Sequence, residues 1–207
     1  MRLTNYDIGT HKSLQGRHKL ISANRTIEGM HVAAEIVNSL RNSQEEVPNE
    51  AELRAFIGRI ALPPDVVLQE DSKHDDFVHL RRALRLLWEN TDFERIEFVN
   101  RTLSTYRLTA HLETGAREAR PSVILVTTIP GAVPQLASIA FTSVVAVISN
   151  GDTSRMKLCS AVDCDGVFFD ASKNQSRMFC RLSCANRTHA AASRAAKKAS
   201  FGSQASE

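Results

Sequence analysis

All four cysteines of this 207-residue chain, Cys159, Cys164, Cys180 and Cys184, fall inside one window of 26 residues. The spacing reads C-x4-C, fifteen intervening residues, then C-x3-C. Two close pairs joined by a short loop suit one tetrahedral zinc ion, because each pair can deliver two thiolates from a tight turn or a first helical turn. Cysteines scattered through a core, or a redox pair, are the alternatives. Neither pair has the C-x-x-C spacing of thioredoxin-like proteins, and in a cytoplasm the thiols stay reduced.

The residues around the cysteines suggest a small finger. Val167-Phe168-Phe169 follows Asp165-Gly166 as a hairpin arm would. After Cys180 the sequence is alanine-rich and basic, with Arg187, Arg194, Lys197 and Lys198 among Ala185, Ala190, Ala191, Ala192, Ala195 and Ala196, a strongly helical composition. Residues 155–198 hold 9 basic and 3 acidic side chains, net +6, against −3 for the rest of the chain. That asymmetry points to a local anionic partner. Arg187, Arg194, Lys197 and Lys198 are the expected phosphate contacts, and Arg181 the one placed to reach a base edge. Asp170, Ser172 and Asn174 are expected to orient the loop between the cysteine pairs by side-chain-to-backbone bonds. Loss of one cysteine is expected to unfold residues 155–198 and to spare the helices before them.

The preceding chain is patterned mainly for helices. Ile27, Met30, Ala34, Val37 and Leu40 recur at helical spacing, then Leu53, Phe56, Ile57 and Ile60 after an Asn49–Glu52 start signal, with Pro63-Pro64 as the stop. The strongest pattern spans residues 72–89. Its Arg81, Arg82 and Arg85 form either a phosphate-binding face or a solvated face paired with Asp75 and Asp76. A shorter helix carries Ile96, Val99 and Leu103, and residues 106–112 with 122–129 read as a β-hairpin. Residues 42–48 read as a polar linker. No charge occurs from 121 to 151, but Pro130, Gly131 and Pro134 leave only 15 unbroken residues, short of the roughly 20 a membrane span needs. That stretch is expected to be a buried helix ended by Asn150-Gly151-Asp152, and no membrane partner is expected. The N-terminus lacks the apolar core of a signal peptide.

The run from Cys159 through Asp170, Ser172 and Asn174 to Phe179-Cys180 and Cys184-Ala185-Asn186-Arg187 resembles the bacterial CGNR zinc-finger family. Ala185 replaces the glycine of the family's Cys-Gly-Asn-Arg signature, and Phe179 stands in place of a tryptophan. Ile36-Val37-Asn38-Ser39, Leu80-Arg81-Arg82-Ala83-Leu84 and Val99-Asn100-Arg101-Thr102-Leu103 are similar to the ABATE domain that precedes this finger. The resemblance implies a stress-linked bacterial transcription regulator, with Asn186 part of the structural motif. The expected fold is mainly α with a β-hairpin (α+β), a helical domain followed by a treble-clef-like finger. The expected organisation is a loose extension at 1–24, the ABATE-like domain at 25–152, the finger with its basic helix at 153–199, and a disordered tail at 200–207.

The first functional reading is a cytoplasmic regulator that holds one structural zinc ion and binds nucleic acid, DNA in preference to RNA. The alternative is a protein-interaction or small-ligand-sensing module, its effector or partner at the helical domain, with a purely structural finger. There Asn38 and Asn100 either line a pocket or satisfy nearby backbone. Catalysis is not expected. Four cysteines close the metal shell, whereas a catalytic zinc keeps a position open, and the 7 histidines form no H-x-x-x-H pair.

Overall fold

The computed structural model describes residues 23–62, 68, 69, 71, 73–114 and 121–204, with the backbone alone at 23 and 198–204. The elements follow in the order α1 (Ala23–Asn38), β1 (Leu40–Arg41), β2 (Gln44–Glu45), α2 (Glu50–Arg59), α3 (His74–Glu89), α4 (Asp92–Thr105), β3 (Leu108–Glu113), β4 (Ser122–Thr127), α5 (Ala132–Ser149), β5 (Met156–Leu158), β6 (Val167–Phe169) and α6 (Leu182–Gln204). Helices and three antiparallel strand pairs give the expected α+β class.

The uncharged helix α5 is the centre of the core, with Val133, Leu136, Ala137, Ala140, Phe141, Val144 and Val147 buried. It is long and apolar enough to cross a membrane by composition, but 67% of its span is buried inside the protein. Its hydroxyls have structural work. Thr142 Oγ1 accepts from the Leu125 N–H at 2.8 Å, and Ser138 Oγ donates to the Leu125 carbonyl, so α5 closes the outer edge of β4. Helix α1 packs against α5 closely at Gly29, where a Cβ would lie 2.0 Å from Ser143 Oγ and 3.0 Å from the Ile139 carbonyl oxygen. The hairpin pairs Leu108 with Thr127 through to Glu113 with Ser122.

Several expectations change in detail. Helix α1 begins at Ala23, two residues inside the stretch assigned to a loose extension; residues 1–22 lie outside the described residues, as do Pro63, Pro64 and Ser72. The polar linker is folded. Asn42 (φ 52°) and Ser43 (φ 61°) make a two-residue turn between β1 and β2, the backbone a tight hairpin requires. Asn49 caps α2 by accepting from Glu52 N–H at 3.0 Å, while the reciprocal capping box is found at Thr91 and Glu94 on α4. Arg81 is neither a phosphate ligand nor a partner of Asp75 or Asp76. It is 5% exposed and grips both Glu45 oxygens at 2.7 and 2.6 Å, bracing the β1–β2 hairpin against α3. Arg85 binds Glu89 and the Asp165 carbonyl. Helix α6 runs to Gln204, through residues 200–204 that were assigned to a disordered tail. Helical propensity favours that continuation. Residues 205–207 lie outside the described residues.

The core does not stop where α5 ends. Met156, Val167 and Phe169 of the finger hairpin belong to the same buried cluster as α1, α3 and α5. Asn38, at the last position of α1, donates from Nδ2 to the Val167 carbonyl at 2.9 Å and accepts from Val167 N–H at 2.8 Å. Its amide thus acts as a further strand segment along β6. Trp88 Nε1 donates to the Phe168 carbonyl at 3.1 Å. The finger is built into the helical domain.

Candidate metal centre

The finger folds as one hairpin with a knuckle at its turn. Strand β5 pairs with β6 from Met156–Phe169 to Leu158–Val167, so the arm after the first knuckle pairs with the strand before it. Cys159 follows that first strand directly, and its N–H donates to the Gly166 carbonyl at 2.8 Å. Cys164 lies on the return. Cys180 lies two residues before α6, and Cys184 lies in its first turn. Phe168 points from β6 into the cysteine cluster, while its neighbours Val167 and Phe169 point into the helical core, which is why this strand is buried throughout.

The four Sγ atoms all lie within 4.8 Å of one another. Cys164–Cys180, Cys164–Cys184 and Cys180–Cys184 are separated by 3.6, 3.7 and 3.8 Å. A tetrahedral zinc with Zn–S bonds of about 2.3 Å has sulfur–sulfur edges of about 3.8 Å. The sulfurs therefore have the spacing of a closed metal shell. Cys180 N–H points to Cys159 Sγ and Gly166 N–H to Cys164 Sγ, each at 3.4 Å, the outer-shell donors such sites use. Gly166 is required by close approach, since a Cβ there would sit 3.0 Å from Cys180 Sγ and 3.2 Å from Cys164 Sγ. Burial pushes the Cys180 and Cys164 thiols up. At Cys159 burial acts the same way, but N–H groups of Cys180 and Ala161 outweigh it and draw the thiol down. If ionised together, four sulfurs this close would need a cation, which a divalent metal would supply.

Asp170 organises the loop between the two pairs. It is fully buried and accepts from Lys157 Nζ at 2.8 Å, Ser172 N–H at 3.0 Å, Ser172 Oγ at 2.6 Å and Arg177 N–H at 2.9 Å. Burial opposes its ionisation, but the Lys157 ammonium and these donors prevail and hold the carboxyl well below the usual carboxylate range. Arg177 donates to the Phe179 and Cys180 carbonyls and lies over the Phe168 ring. Lys157 and Arg177 had no motif to mark them. Asn174, expected to share this work, is exposed and its side chain makes no hydrogen bond among the described residues. Gln175 does the work instead, in the left-handed region at φ 50°, accepting from Ser154 Oγ at 3.0 Å. Asn186 is exposed as well.

The basic residues separate into two groups. Arg187 is committed to the finger: its Nε and Nη2 bind Asp163 Oδ1 at 3.0 and 2.8 Å, and Nη2 approaches Cys184 Sγ at 3.9 Å. It ties α6 to the first knuckle while remaining partly exposed. Arg181 and Arg194 are exposed, and their side chains make no hydrogen bond or ion pair among the described residues. Lys197 is exposed on the same helix; Lys198 lies on α6, its side chain outside the described residues. From His189 to Lys197 every residue of α6 is exposed.

Fold and site together define a helical domain carrying a four-cysteine finger. The model of the CGNR zinc finger matches residues 155–197. The ABATE model, whose description is "putative stress-induced transcription regulator", matches residues 30–147, more than half of the chain, and the chain belongs to that family. No curated protein matches it.

Proposed function

We propose that this chain is a transcription regulator that binds nucleic acid, DNA in preference to RNA, through α6, and that one structural zinc ion sets the root of that helix. The observation that carries this reading is the exposure of α6 on all sides from His189 to Lys197, with Arg194 and Lys197 on it. The metal knuckle and the Arg187–Asp163 pair hold its first turns. At about 1.5 Å per residue, such a helix reaches well beyond the finger. A cationic, unpacked helix with a fixed base is suited to lying in a groove of duplex DNA. Catalysis has no place in this reading, because the sulfurs fill the metal shell. Anisotropy titrations of mixed-sequence duplex DNA test it. Binding should weaken steeply with salt, and Arg194→Glu with Lys198→Glu should weaken it for every sequence, flattening the salt slope by about 1 unit per lost contact. Zinc content should stay the same. Equal binding and slope in the double variant would remove α6 as the interface.

One observation favours a second reading, an effector site. A cleft of about 310 Å³ lies among Val37, Leu40, Leu86, Arg82, Arg85 and Asp165, where the helical domain meets the finger. Its apolar walls and arginines suit a small anion with an apolar body. Ligand-dependent melting shifts without DNA would support it.

A further inference from the structure

Arg41 ends β1, just before the Asn42-Ser43 turn, and its side chain runs toward the finger. The Cβ position of Gly166 is 3.1 Å from Arg41 Cδ, 3.0 Å from Cys180 Sγ and 3.2 Å from Cys164 Sγ. Sharing that point, the arginine stem is no more than about 6 Å from either sulfur. Yet Arg41 Nη1 is buried without a hydrogen-bond partner, and the guanidinium makes no ion pair among the described residues. Arg41 is only half-buried as a whole, yet a buried guanidinium N–H with no partner is a costly arrangement. The nearby carboxylates are engaged elsewhere. Glu45 holds Arg81, Asp163 holds Arg187, and Asp165 accepts from Asn42 N–H at 2.9 Å.

We propose that the missing partner of Arg41 is the metal-loaded cysteine cluster itself. Four thiolates around a divalent ion carry a net charge of −2. Arg187 Nη2 approaches Cys184 Sγ at 3.9 Å from within the finger, but its charge is shared with Asp163. Arg41 brings an unshared positive charge from the helical domain. Metal binding then gives a half-buried, unpaired guanidinium its partner, so filling the site and docking the finger on the helical domain are linked. Arg41 is a positioning residue for the metal centre, outside its ligand shell.

The test uses the full chain, zinc as the only added ligand and a chromophoric chelator as competitor. Arg41→Met keeps the apolar stem and removes the charge. It should weaken zinc binding by about 10- to 100-fold, the range for outer-shell partners. The same substitution should leave the metal-free protein as stable as before, or more so, because the unpaired cation is gone. Arg41→Lys, which keeps the charge, should restore most of the affinity. Should the methionine variant fail to fold, Arg41→Gln is measured in the same way. An affinity within about twofold of the parent overturns the inference. So does an equal destabilisation of the metal-free and loaded protein, which would mean that Arg41 only packs. A parent chain that takes up no zinc overturns the metal assignment on which the inference rests, and the inference with it.

Discussion

Asn38→Ala probes whether the finger is a tethered bead or part of the helical core. Asn38 is 9% exposed, and its amide satisfies both the N–H and the C=O of Val167, a residue 1% exposed on β6. Alanine removes both bonds and admits little water, so two buried backbone groups lose their partners. At about 1–3 kcal/mol for each unsatisfied group, the variant should lose about 2–6 kcal/mol, a large share of a typical domain stability of 5–15 kcal/mol. Trp88, the only tryptophan, supplies the readout. It is 4% exposed on α3 and hydrogen-bonded to Phe168, so its emission reports on the junction. Urea titration of the zinc-loaded protein, followed by tryptophan fluorescence and far-UV circular dichroism, should show one shared transition displaced to lower urea. Amide exchange at Val167 should accelerate. A shift worth less than about 0.5 kcal/mol, the scale of an ordinary surface substitution, would refute the argument. So would two separate transitions in the parent protein.

The remaining predictions concern the finger. Gly166→Ala places a methyl about 3 Å from two of the ligand sulfurs, so zinc release to a chelator should accelerate while α5 keeps its amide protection. Asp170→Asn leaves the Lys157 ammonium facing a neutral group at a fully buried position and should cost about 3 kcal/mol in urea unfolding. The sign with pH follows from the lowered carboxyl. Its stabilisation is fully present above the unfolded value of about 3.9 and is lost as pH falls toward the native value. The gap between parent and Asp170→Asn should therefore be constant near neutrality and narrow only below about pH 4. Replacing any one cysteine by serine should lower metal content, and should shift Trp88 emission although Trp88 lies in the helical domain. An unmoved emission would restore the expectation that the helices are indifferent to the finger.

Much was legible in the chain because it is written in short-range order. Helical spacing marks α1, α3 and α5, a β-branched apolar run marks β4, and two cysteine pairs mark a metal shell, since spacing decides which side chains share a face or can meet at one point. What spacing cannot encode is which distant surface a face will meet. Arg81 sits on the polar side of an amphipathic pattern, yet it is buried because the β1–β2 hairpin brings Glu45 over it. Arg187 looked free on a basic helix until the first knuckle brought Asp163 beside it. Asn38 and Val167 are 129 positions apart, and no local rule relates them. The sequence by itself determined a four-thiolate finger after a helical domain. Only the tertiary structure decided that the two share one core, because the polar edge of β6 finds partners on α1 and α3, and Met156, Val167 and Phe169 join the buried cluster of the helices.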